Sequence, residues 1–499
     1  MSLFGMMPTD LDPVASPRRS RAHGVLVVAT VLGSVLSLSS VACSDYDGAI
    51  PSDDAADVPD ASSAPTDAAS APDGGPSADP RGGFDPADVP VVCGATPCAM
   101  QLVAGDAHFC ARLGDGTVRC WGSDAYGANG ATGWGDEGGS NVHAHVHTIA
   151  DLSDVVQLSA AGGTTCALLG DGGVECWGDN RRAQLGLELD WPSADEASHP
   201  TPSRVRLPAK ATRVDVGHGG VCALLSTGKV WCWGRDHHGQ LLRGAPAEEL
   251  YEDLVREPGE AALEPNTFAR VAPSTHTALA LASDGTVWSW GALAGEPGMV
   301  SGRVGSVDRS PVPKRLGGLS KVTSLVTSAW VEPDAQSGLF RPAPGGETPK
   351  LPPHAHACAI ADGEVYCWGR SFQGALCTGF RDAEQEPALA PMPSSAKAWP
   401  QQLAVADEIT CARMTDGSVY CCGSDARGRL GTGTVGVLSA SFTKASAFTG
   451  RAVRVATSDR AVCALVVDGT VECWGSNEKG ELGQAPDEAD HLSPVKVAL

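Results

Sequence analysis

The sequence is poor in positive charge. Its 499 residues contain 36 Lys and Arg against 59 Asp and Glu, which gives a formal net charge of −23. Because nucleic-acid affinity comes largely from clustered Lys and Arg, this balance argues against a nucleic-acid partner. It favours a soluble surface and is compatible with basic partners or cations.

The sequence also lacks the short motifs that carry common enzyme chemistry. It contains no nucleophile elbow, no zinc-protease helix and no phosphate-cradling lysine motif. Gly431–Gly436 fits the dinucleotide-binding fingerprint by letter, but no strand–helix unit surrounds it. We therefore expect a protein that is not an enzyme and has no catalytic residue, no cofactor and no bound metal. A hydrolase is the least favoured alternative.

Long apolar runs are few, and the most prominent, Val25 to Leu38, is short for a membrane span. It follows an arginine-rich segment at residues 18–21 and precedes Ser-Val-Ala-Cys43, which is the order of parts in an export signal. These four residues resemble a bacterial lipoprotein cleavage box, in which Cys43 would be lipidated. Plain secretion with Ala42 as the cleavage residue and an uncleaved anchor are the alternatives. We assign residues 1–43 to this signal.

Residues 44–89 contain almost no apolar side chains. Eleven Asp stand against one Arg, among Ala, Pro, Ser and Gly. Such a segment cannot bury enough surface to offset its ordering entropy, and its charges repel one another. We predict a disordered acidic linker that acts as a stalk for a folded domain at residues 90–499.

What the sequence has in abundance is one repeated phrase, a cysteine pair that brackets an Asp-Gly turn and precedes Trp-Gly. The clearest copy runs from Cys166 to Cys176 and continues with Trp177-Gly178. Six copies keep both cysteines, whereas a seventh, Leu279–Ser289, has lost both. The copies begin at residues 110, 166, 222, 279, 358, 411 and 463, so their spacing is 52 to 57 residues with one interval of 79.

A period near fifty residues with several short strands per copy is typical of a propeller. In the third copy we predict strands over Ser203–Leu207, Thr212–Val216, Val221–Leu225 and Lys229–Trp233. The first copy lacks a convincing first strand, and Ser493–Leu499 matches a first strand with no blade after it. We therefore predict an all-β, seven-bladed β-propeller that the C-terminal strand closes by pairing into blade one.

The phrase belongs to a longer pattern, clearest in Asp171-Gly172, Trp177-Gly178-Asp179-Asn180 and Gln184-Leu185-Gly186. This pattern resembles the repeat of the regulator of chromosome condensation family, over residues 99 to 499 and in all seven copies. The resemblance implies a seven-bladed propeller. Copy four departs from the pattern after Trp290-Gly291, and copy six has Cys422 where the other copies have Trp.

A ten-residue spacing across an Asp-Gly turn places two cysteines opposite each other within disulfide reach. Thiolate metal sites are the alternative, but they usually bring ligands two to four residues apart. For Cys377 and Cys422, an inter-blade bridge and two buried free thiols both stay open. So many disulfides indicate an oxidising compartment. The expected pairs are Cys93–Cys98, Cys110–Cys120, Cys166–Cys176, Cys222–Cys232, Cys358–Cys367, Cys411–Cys421 and Cys463–Cys473.

Other recurrent side chains have structural explanations. His143, His145 and His147 alternate along a predicted strand and could hold Zn or Cu, but an exposed strand face is the favoured explanation. The recurrent Asp residues precede a turn Gly, which explains them as turn residues. The recurrent Trp residues are expected in the blade cores.

Long loops on a rigid scaffold concentrate binding residues. The long interval between copies four and five, mostly Ala292–Lys350, contains Trp330 and Phe340. Residues 243–266 form a second acidic loop, with Tyr251. These three aromatic residues are the candidate binding residues.

The expected function is a non-enzymatic cell-envelope scaffold that presents propeller loops to a protein or glycan partner. We expect a monomer, bound to the outer membrane or cell surface only through a lipid anchor, or else secreted. The family resemblance implies two alternatives. One is a secreted enzyme inhibitor similar to the propeller-type β-lactamase inhibitory protein. The other, guanine-nucleotide exchange on a small GTPase, is opposed by export, disulfides and acidity.

Overall fold

The structure, a computed structural model, describes residues 87, 89–94, 96–131, 146–187, 194–236, 238–244, 255–274, 277–291, 310–328, 355–371, 373–379 and 383–499. Twenty-eight strands form seven four-stranded antiparallel sheets there. This confirms the all-β, seven-bladed propeller. In the described part of the chain the helical segments are two three-residue 3-10 turns, Ala125–Gly127 and Ala426–Gly428. No helix among the described residues is long and apolar enough to cross a membrane.

Each blade takes four consecutive strands. Blades one to three contain β1 Ala99–Ala104, β2 His108–Leu113, β3 Val118–Gly122 and β4 His147–Thr148; β5 Val155–Ala161, β6 Thr164–Leu169, β7 Val174–Gly178 and β8 His199–Arg204; β9 Ala211–Gly217, β10 Gly220–Leu225, β11 Val230–Arg235 and β12 Val255–Glu260. Blades four and five contain β13 Phe268–Pro273, β14 Thr277–Ala282, β15 Val287–Gly291 and β16 Ser310–Arg315; β17 Val322–Thr327, β18 Ala355–Ala361, β19 Glu364–Arg370 and β20 Ala383–Leu389. Blades six and seven contain β21 Pro400–Ala406, β22 Ile409–Met414, β23 Val419–Ser424 and β24 Leu438–Lys444; β25 Ala452–Thr457, β26 Ala461–Val466, β27 Val471–Ser476 and β28 Asp490–Lys496.

The hydrophobic core lies between blades rather than within them. Seven apolar clusters each combine side chains from two neighbouring blades. One of them joins Phe109 and Trp121 of blade one to Val453 and Leu482 of blade seven. Because the first strands β25 and β1 are also in contact, the seven blades close into a ring.

The strand exchange expected at ring closure is wrong. β28 pairs with β27 of its own blade, with Val495 opposite Cys473. Likewise, the segment predicted as a first strand over Ser203–Leu207 begins in β8, the fourth strand of blade two, which ends at Arg204. The fourth strand follows a long loop and directly precedes the next copy, so the repeat phase alone does not say to which blade it belongs.

The N-terminal segment closes the ring instead. Backbone amides of Val92, Gly94 and Ala99 donate hydrogen bonds of 2.7 to 2.9 Å to the carbonyls of residues 467, 468 and 469 in blade seven. The side chains of Val89 and Val91 pack on the cluster shared by blades one and seven. The chain that leads into blade one therefore adheres to the last blade.

Connections alternate between two faces of the ring because consecutive strands are antiparallel. The loop face holds the connections between first and second strands and between third and fourth strands. The turn face holds the Asp-Gly turns and the links from blade to blade. Residues 132–145, 188–193, 245–254, 292–309 and 329–354, all outside the described residues, join strand ends on the loop face.

The second and third strands of each blade form the hairpin that carries the repeated phrase. In six blades the two cysteines are directly opposed in register, with Sγ atoms 2.06 to 2.12 Å apart. In blade four, Leu279 faces Ser289 in the same register. The pair has therefore been replaced there without a change in strand pairing.

Repeat tryptophans of five blades (one, two, three, four and seven) each donate a hydrogen bond to the preceding blade in the ring. The indole Nε1 of Trp177 donates to the carbonyl of Ala128 at 3.2 Å, and Trp233 donates to Gln184 at 2.8 Å. Trp121 of blade one donates to Glu481 of blade seven at 2.9 Å, which continues the pattern across the ring closure. All six repeat tryptophans are fully buried, as expected for blade-core residues. The Trp-Gly and Gly-Gln-Leu-Gly parts of the repeat thus meet between blades.

Blade six replaces this link with a covalent one. Cys422 occupies the Trp position, and its Sγ lies 1.93 Å from that of Cys377 in the blade-five loop. Of the two alternatives, the structure has the inter-blade bridge. Cys377 stands, at a φ of 56°, where the blade-six loop has Gly431. A Cβ at Gly431 would come within 2.8 Å of the Trp474 indole, so a side chain is tolerated here only when the facing Trp is absent.

Candidate functional site

The turns between first and second strands converge at the centre of the loop face. The Asp106 amide donates to the Gly162 carbonyl of the next blade at 2.9 Å, and the Asp459 amide of blade seven donates to the Asp106 carbonyl at 2.9 Å. The His218 imidazole Nε2 of blade three reaches Asp106 Oδ1 at 2.8 Å, past blade two. We call this set of turns, with the arginines that touch them, the mouth cluster.

The carboxylates of the mouth cluster come from blades six, seven and one. The Asp407 amide donates to Asp459 Oδ1 at 3.3 Å. Burial, together with the negative charges of Asp106 and Asp407, raises the pKa of Asp459 well above its usual value. Burial would also raise the pKa of Asp106, but the charge and hydrogen bond of His218 lower it below the usual value. The pKa of Asp459 is thus raised and that of the neighbouring Asp106 is lowered.

A buried arginine connects the backbone of the Asp459 turn, and the neighbouring Glu408, to the Trp links. The Arg429 guanidinium, whose side chain is 4% exposed, donates to the Asp459 carbonyl and lies 3.4 Å from Glu408 Oε2. The carbonyl of Arg429 in turn accepts from the Trp474 indole at 2.9 Å. The position of the mouth cluster is therefore fixed by the same contacts that hold blades six and seven together.

The raised pKa of Asp459 predicts a pH-dependent effect of Asp459→Asn. The folded chain keeps this proton over a pH range in which the unfolded chain, with a pKa near 3.8, has lost it. The free energy of unfolding therefore falls as pH rises through that range. We expect the melting temperature of the variant, relative to the native protein, to increase with pH across the range and then to level off.

In a matched control variant, Asp115→Asn, we expect stability relative to the native protein to change with pH in the opposite direction. Hydrogen bonds from the Thr117 side chain and backbone lower the pKa of Asp115, so its contribution to stability is present at neutral pH and is lost on acidification. Asp115→Asn should therefore be least stable, relative to the native protein, at neutral pH. Thermal melting from about pH 2 to about pH 8 compares the two variants, because the Asp115 contribution is lost only as pH falls below about 4. An Asp459→Asn difference that does not change with pH would contradict the assignment.

Two buried histidines beside the mouth cluster are structural. The His108 imidazole Nε2 lies 2.8 Å from Thr165 Oγ1, and burial lowers the pKa of His108 to about 4. His356 and Thr410 form the equivalent contact between blades five and six, at 2.7 Å. At neutral pH His108 is therefore uncharged, and its role is to join neighbouring blades.

Several residues singled out in the sequence lie outside the described residues. These are Cys43, His143, His145, Tyr251, Trp330 and Phe340. His147 lies in β4 opposite Cys120. Within the described ranges, no set of three His, Cys, Asp or Glu side chains is arranged to hold a metal ion.

The long interval between copies four and five is not one insertion. The predicted range Ala292–Lys350 contains β16 and β17, and residues 243–266 contain β12. Two separate connections account for the extra length of the interval, residues 292–309 in blade four and 329–354 in blade five. Both begin and end on the loop face, and the second joins the two strands of blade five that flank the mouth cluster.

Sequence reasoning missed the mouth cluster, although one column of the repeat contains it. The residue four positions before the first cysteine position is Asp106, His218, Asp407 or Asp459 in four of the blades. The chemistry of this column varies, so no conserved motif marks it. The sequence feature that could have revealed the cluster is the recurrence of ionisable residues four positions before the first cysteine position of the repeat.

Known proteins resemble this chain in repeat and fold. A family model for the regulator of chromosome condensation (RCC1) repeat matches residues 101–128 and 211–240. The chain is 27% identical over 359 residues to Regulator of chromosome condensation of Homo sapiens, covering 69% of this chain and 77% of that protein. It is 26% identical over 285 residues to Ultraviolet-B receptor UVR8 of Arabidopsis thaliana, covering 56% and 54%. A match of 26% identity to E3 ubiquitin-protein ligase HERC2 of Homo sapiens covers 62% of this chain but only 7% of the ligase.

Solved structures agree on the fold. Yeast RCC1 (Prp20), solved with Kap60 bound, superposes with a TM-score of 0.59 at 18% identity, covering 81% of this chain and 85% of that one. Human WBSCR16 superposes with a TM-score of 0.59 at 20% identity, covering 79% and 95%. At these identities the likeness establishes the propeller architecture.

Proposed function

We propose that this chain, a seven-bladed propeller built from regulator of chromosome condensation repeats, is a non-enzymatic binding scaffold. Its loop face would engage a protein or glycan partner at the cell envelope. Residues 1–43 would supply the export signal, with Cys43 lipidated, and residues 44–89 would form an acidic linker to the propeller at residues 90–499.

The observation that carries the proposal is the difference between the two faces. On the turn face, connections are short and similar, such as the Asp171-Gly172 and Asp468-Gly469 turns. On the loop face, connections differ from blade to blade in length and sequence. A uniform scaffold with variable loops on one face is how binding proteins are commonly built.

The cysteine pairs support the export part of the proposal. Six hairpins hold opposed cysteines at disulfide distance, and disulfides persist in oxidising compartments. A cytoplasmic exchange factor for a small GTPase would not keep these bonds. The net charge of −23 supports a partner other than nucleic acid.

A protein is the favoured partner class. The yeast RCC1 structure was solved with Kap60 bound, so one protein that contains a propeller of this architecture has a protein partner. If the protein partner is an enzyme, the chain could act as a secreted enzyme inhibitor. This function would be recognised if the captured enzyme lost activity on binding.

The test replaces residues 330–352, which include Trp330 and Phe340, with a short Gly-Ser linker. Since β17 ends at Thr327 and β18 begins at Ala355, both strands of blade five are kept. Deleting Ala292–Lys350 would instead remove β16 and β17. We expect the native protein to capture a discrete protein from envelope extract and the variant to lose it while its melting temperature stays unchanged.

The matched control is Lys210→Glu, an exposed change in the blade-two-to-three link on the turn face. It should leave capture intact. Equal capture by the loop variant and the native protein would reject blade five as the binding site. Binding to a glycan array, insensitive to the loop replacement, would assign the partner to glycans instead.

A further inference from the structure

The junction of blades six and seven exposes apolar side chains beside exposed carboxylates. We propose that this junction is a docking surface for a protein partner that presents apolar side chains flanked by lysine or arginine. The surface consists of an apolar loop at residues 432–437 and an acidic loop at residues 484–490. The inference rests on the proposed scaffold function and deepens it by naming the chemistry of the partner.

The apolar loop belongs to the connection from β23 to β24. Val437 is 82% exposed and Val435 is 54% exposed. Among the large apolar residues that the structure describes, Val437 is the most exposed. Residues 430–443 contain no ionisable side chain, although the whole chain has a net charge of −23. A partner can therefore cover this segment without removing a charge from water.

Hydrogen bonds hold the start of the apolar loop against the link from blade six to blade seven. The Ala447 amide donates to the Gly431 carbonyl at 2.9 Å, and the Ser446 hydroxyl donates to the Thr432 carbonyl at 3.1 Å. The hydroxyls of Thr432 and Thr434 lie 3.0 Å apart. Because these bonds order the loop in the free protein, the loop loses little conformational freedom when a partner binds.

One short turn joins the two loops. The Asp425 amide, just before the 3-10 turn Ala426–Gly428, donates to the Val437 carbonyl at 3.2 Å. Arg427 of the same turn lies 3.4 Å from the Asp490 carboxylate at the end of the acidic loop. The turn therefore lies between the end of the apolar loop in blade six and the end of the acidic loop in blade seven, and the two loops are neighbouring parts of one surface.

The acidic loop presents negative charge to solvent. Asp487, Glu488 and Asp490 are exposed, and the loop contains no Lys or Arg. Asp487 pairs with His491 at 3.1 Å, and Asp490 pairs with Arg427. Glu488 has no ion-pair partner among the residues that the structure describes. A lysine or arginine of the partner would be attracted to this unpaired carboxylate, which complements the apolar contact beside it.

A second copy of this chain suits the surface less well than a basic partner does. Two copies related by a two-fold axis would bring their acidic loops toward each other, and the like charges would repel. A partner with an acidic surface is disfavoured for the same reason. The net charge of −23 adds a longer-range attraction for a basic partner.

The test uses three short synthetic peptides of equal length as probes, which alternate Leu with Lys, Leu with Glu, and Ser with Lys. Fluorescence anisotropy measures their affinity for the full chain at fixed ionic strength. We expect the Leu–Lys peptide to bind most tightly. Its affinity should fall at least about tenfold when Val435→Ser and Val437→Ser are combined, because the apolar area that the peptide covers is then lost. Binding of the Ser–Lys peptide should not change in this double-valine variant.

A separate variant, Glu488→Gln, tests the charge. It should weaken binding of the Leu–Lys peptide at least about twofold at low salt, and the difference should shrink as salt is added. Val312→Ser is the matched apolar control, because Val312 is 62% exposed in β16 of blade four. Glu264→Gln is the matched charge control, in the link between blades three and four. Both controls should bind as the native protein does, and every variant should keep the native melting temperature.

Four results would overturn the docking surface. These are no binding of the Leu–Lys peptide, tighter binding of the Leu–Glu peptide, no loss in the double-valine variant, and equal loss in Val312→Ser. A dimer in sedimentation that Val437→Ser dissociates would assign the surface to a second copy and would also overturn the proposal.

The scaffold function is tested separately by capture from envelope extract. Capture that is unchanged in the double-valine variant would leave the scaffold function standing without this surface. Failure of the native protein to capture a partner, with the peptide results as expected, would reject the scaffold function and leave the apolar and acidic loops as a peptide-binding surface.

Discussion

Changing Cys422 to Ser is expected to lower the free energy of unfolding by about 4 kcal/mol, the chain-entropy value for a bridge across 45 residues. Both cysteines are fully buried between blades five and six, at the place where blades two and three have a Trp hydrogen bond to the preceding blade. The variant loses the covalent link and gains no indole in exchange. Chemical denaturation measures the loss.

The double variant Cys377→Gly with Cys422→Trp should recover most of that stability. Gly suits the φ of 56° at position 377, and it clears the space that an indole needs. The restored Trp would donate to the Ala375 carbonyl, as Trp474 donates to the Arg429 carbonyl at the equivalent place in the next blade. Cys422→Trp alone should remain destabilised, because the Cys377 side chain then meets the indole. Equal stability of that single variant and the double variant would contradict the conclusion that a Trp at position 422 requires a Gly at position 377.

Deleting residues 493–499 is expected to lower the melting temperature by about 5 °C, far more than removal of a surface tail. The deletion removes half of β28 and the Val497 side chain, which is 3% exposed in the cluster between blades one and seven. Val495 and Leu499 also pack against that cluster. Together these side chains contribute about 4 kcal/mol.

The control for the deletion is Lys496→Ala, an exposed change within the same segment. It should leave the melting temperature within about 2 °C of the native value. A deletion variant that melts like the control would show that β28 is dispensable and that the ring is closed by the N-terminal segment and the inner strands alone.

The hairpins of this propeller could be predicted from the sequence because their code is local. Cys166, the Asp171-Gly172 turn and Cys176 fix one register by spacing alone, and the structure has that register. The fourth strands could not be assigned in this way. Their pairing partner lies before a loop of variable length, as between Gly178 and His199, so the sequence does not say on which side of the repeat boundary they belong.

The mouth cluster was beyond sequence reasoning for a different reason. Asp106 and His218 are 112 residues apart and meet only because blade two has a short glycine turn between them. The disulfide of Cys377 with Cys422 could be predicted in part, because each cysteine is an exception to the repeat and the two lie in neighbouring copies. Only the ring geometry shows that both exceptions occupy the two ends of one contact.

The attachment of the N-terminal segment has a mechanical consequence. A tether upstream of residue 89 would pull on the turn face, where Val92 and Gly94 are hydrogen-bonded to blade seven. Those bonds would bear the load one after another, and the Cys93–Cys98 bridge would limit how far the chain can lengthen before β1 is strained. Tension would therefore act first on the hydrogen bond from Gln401 of blade six to the Ala87 carbonyl and then on the bonds to blade seven, before it reached β1.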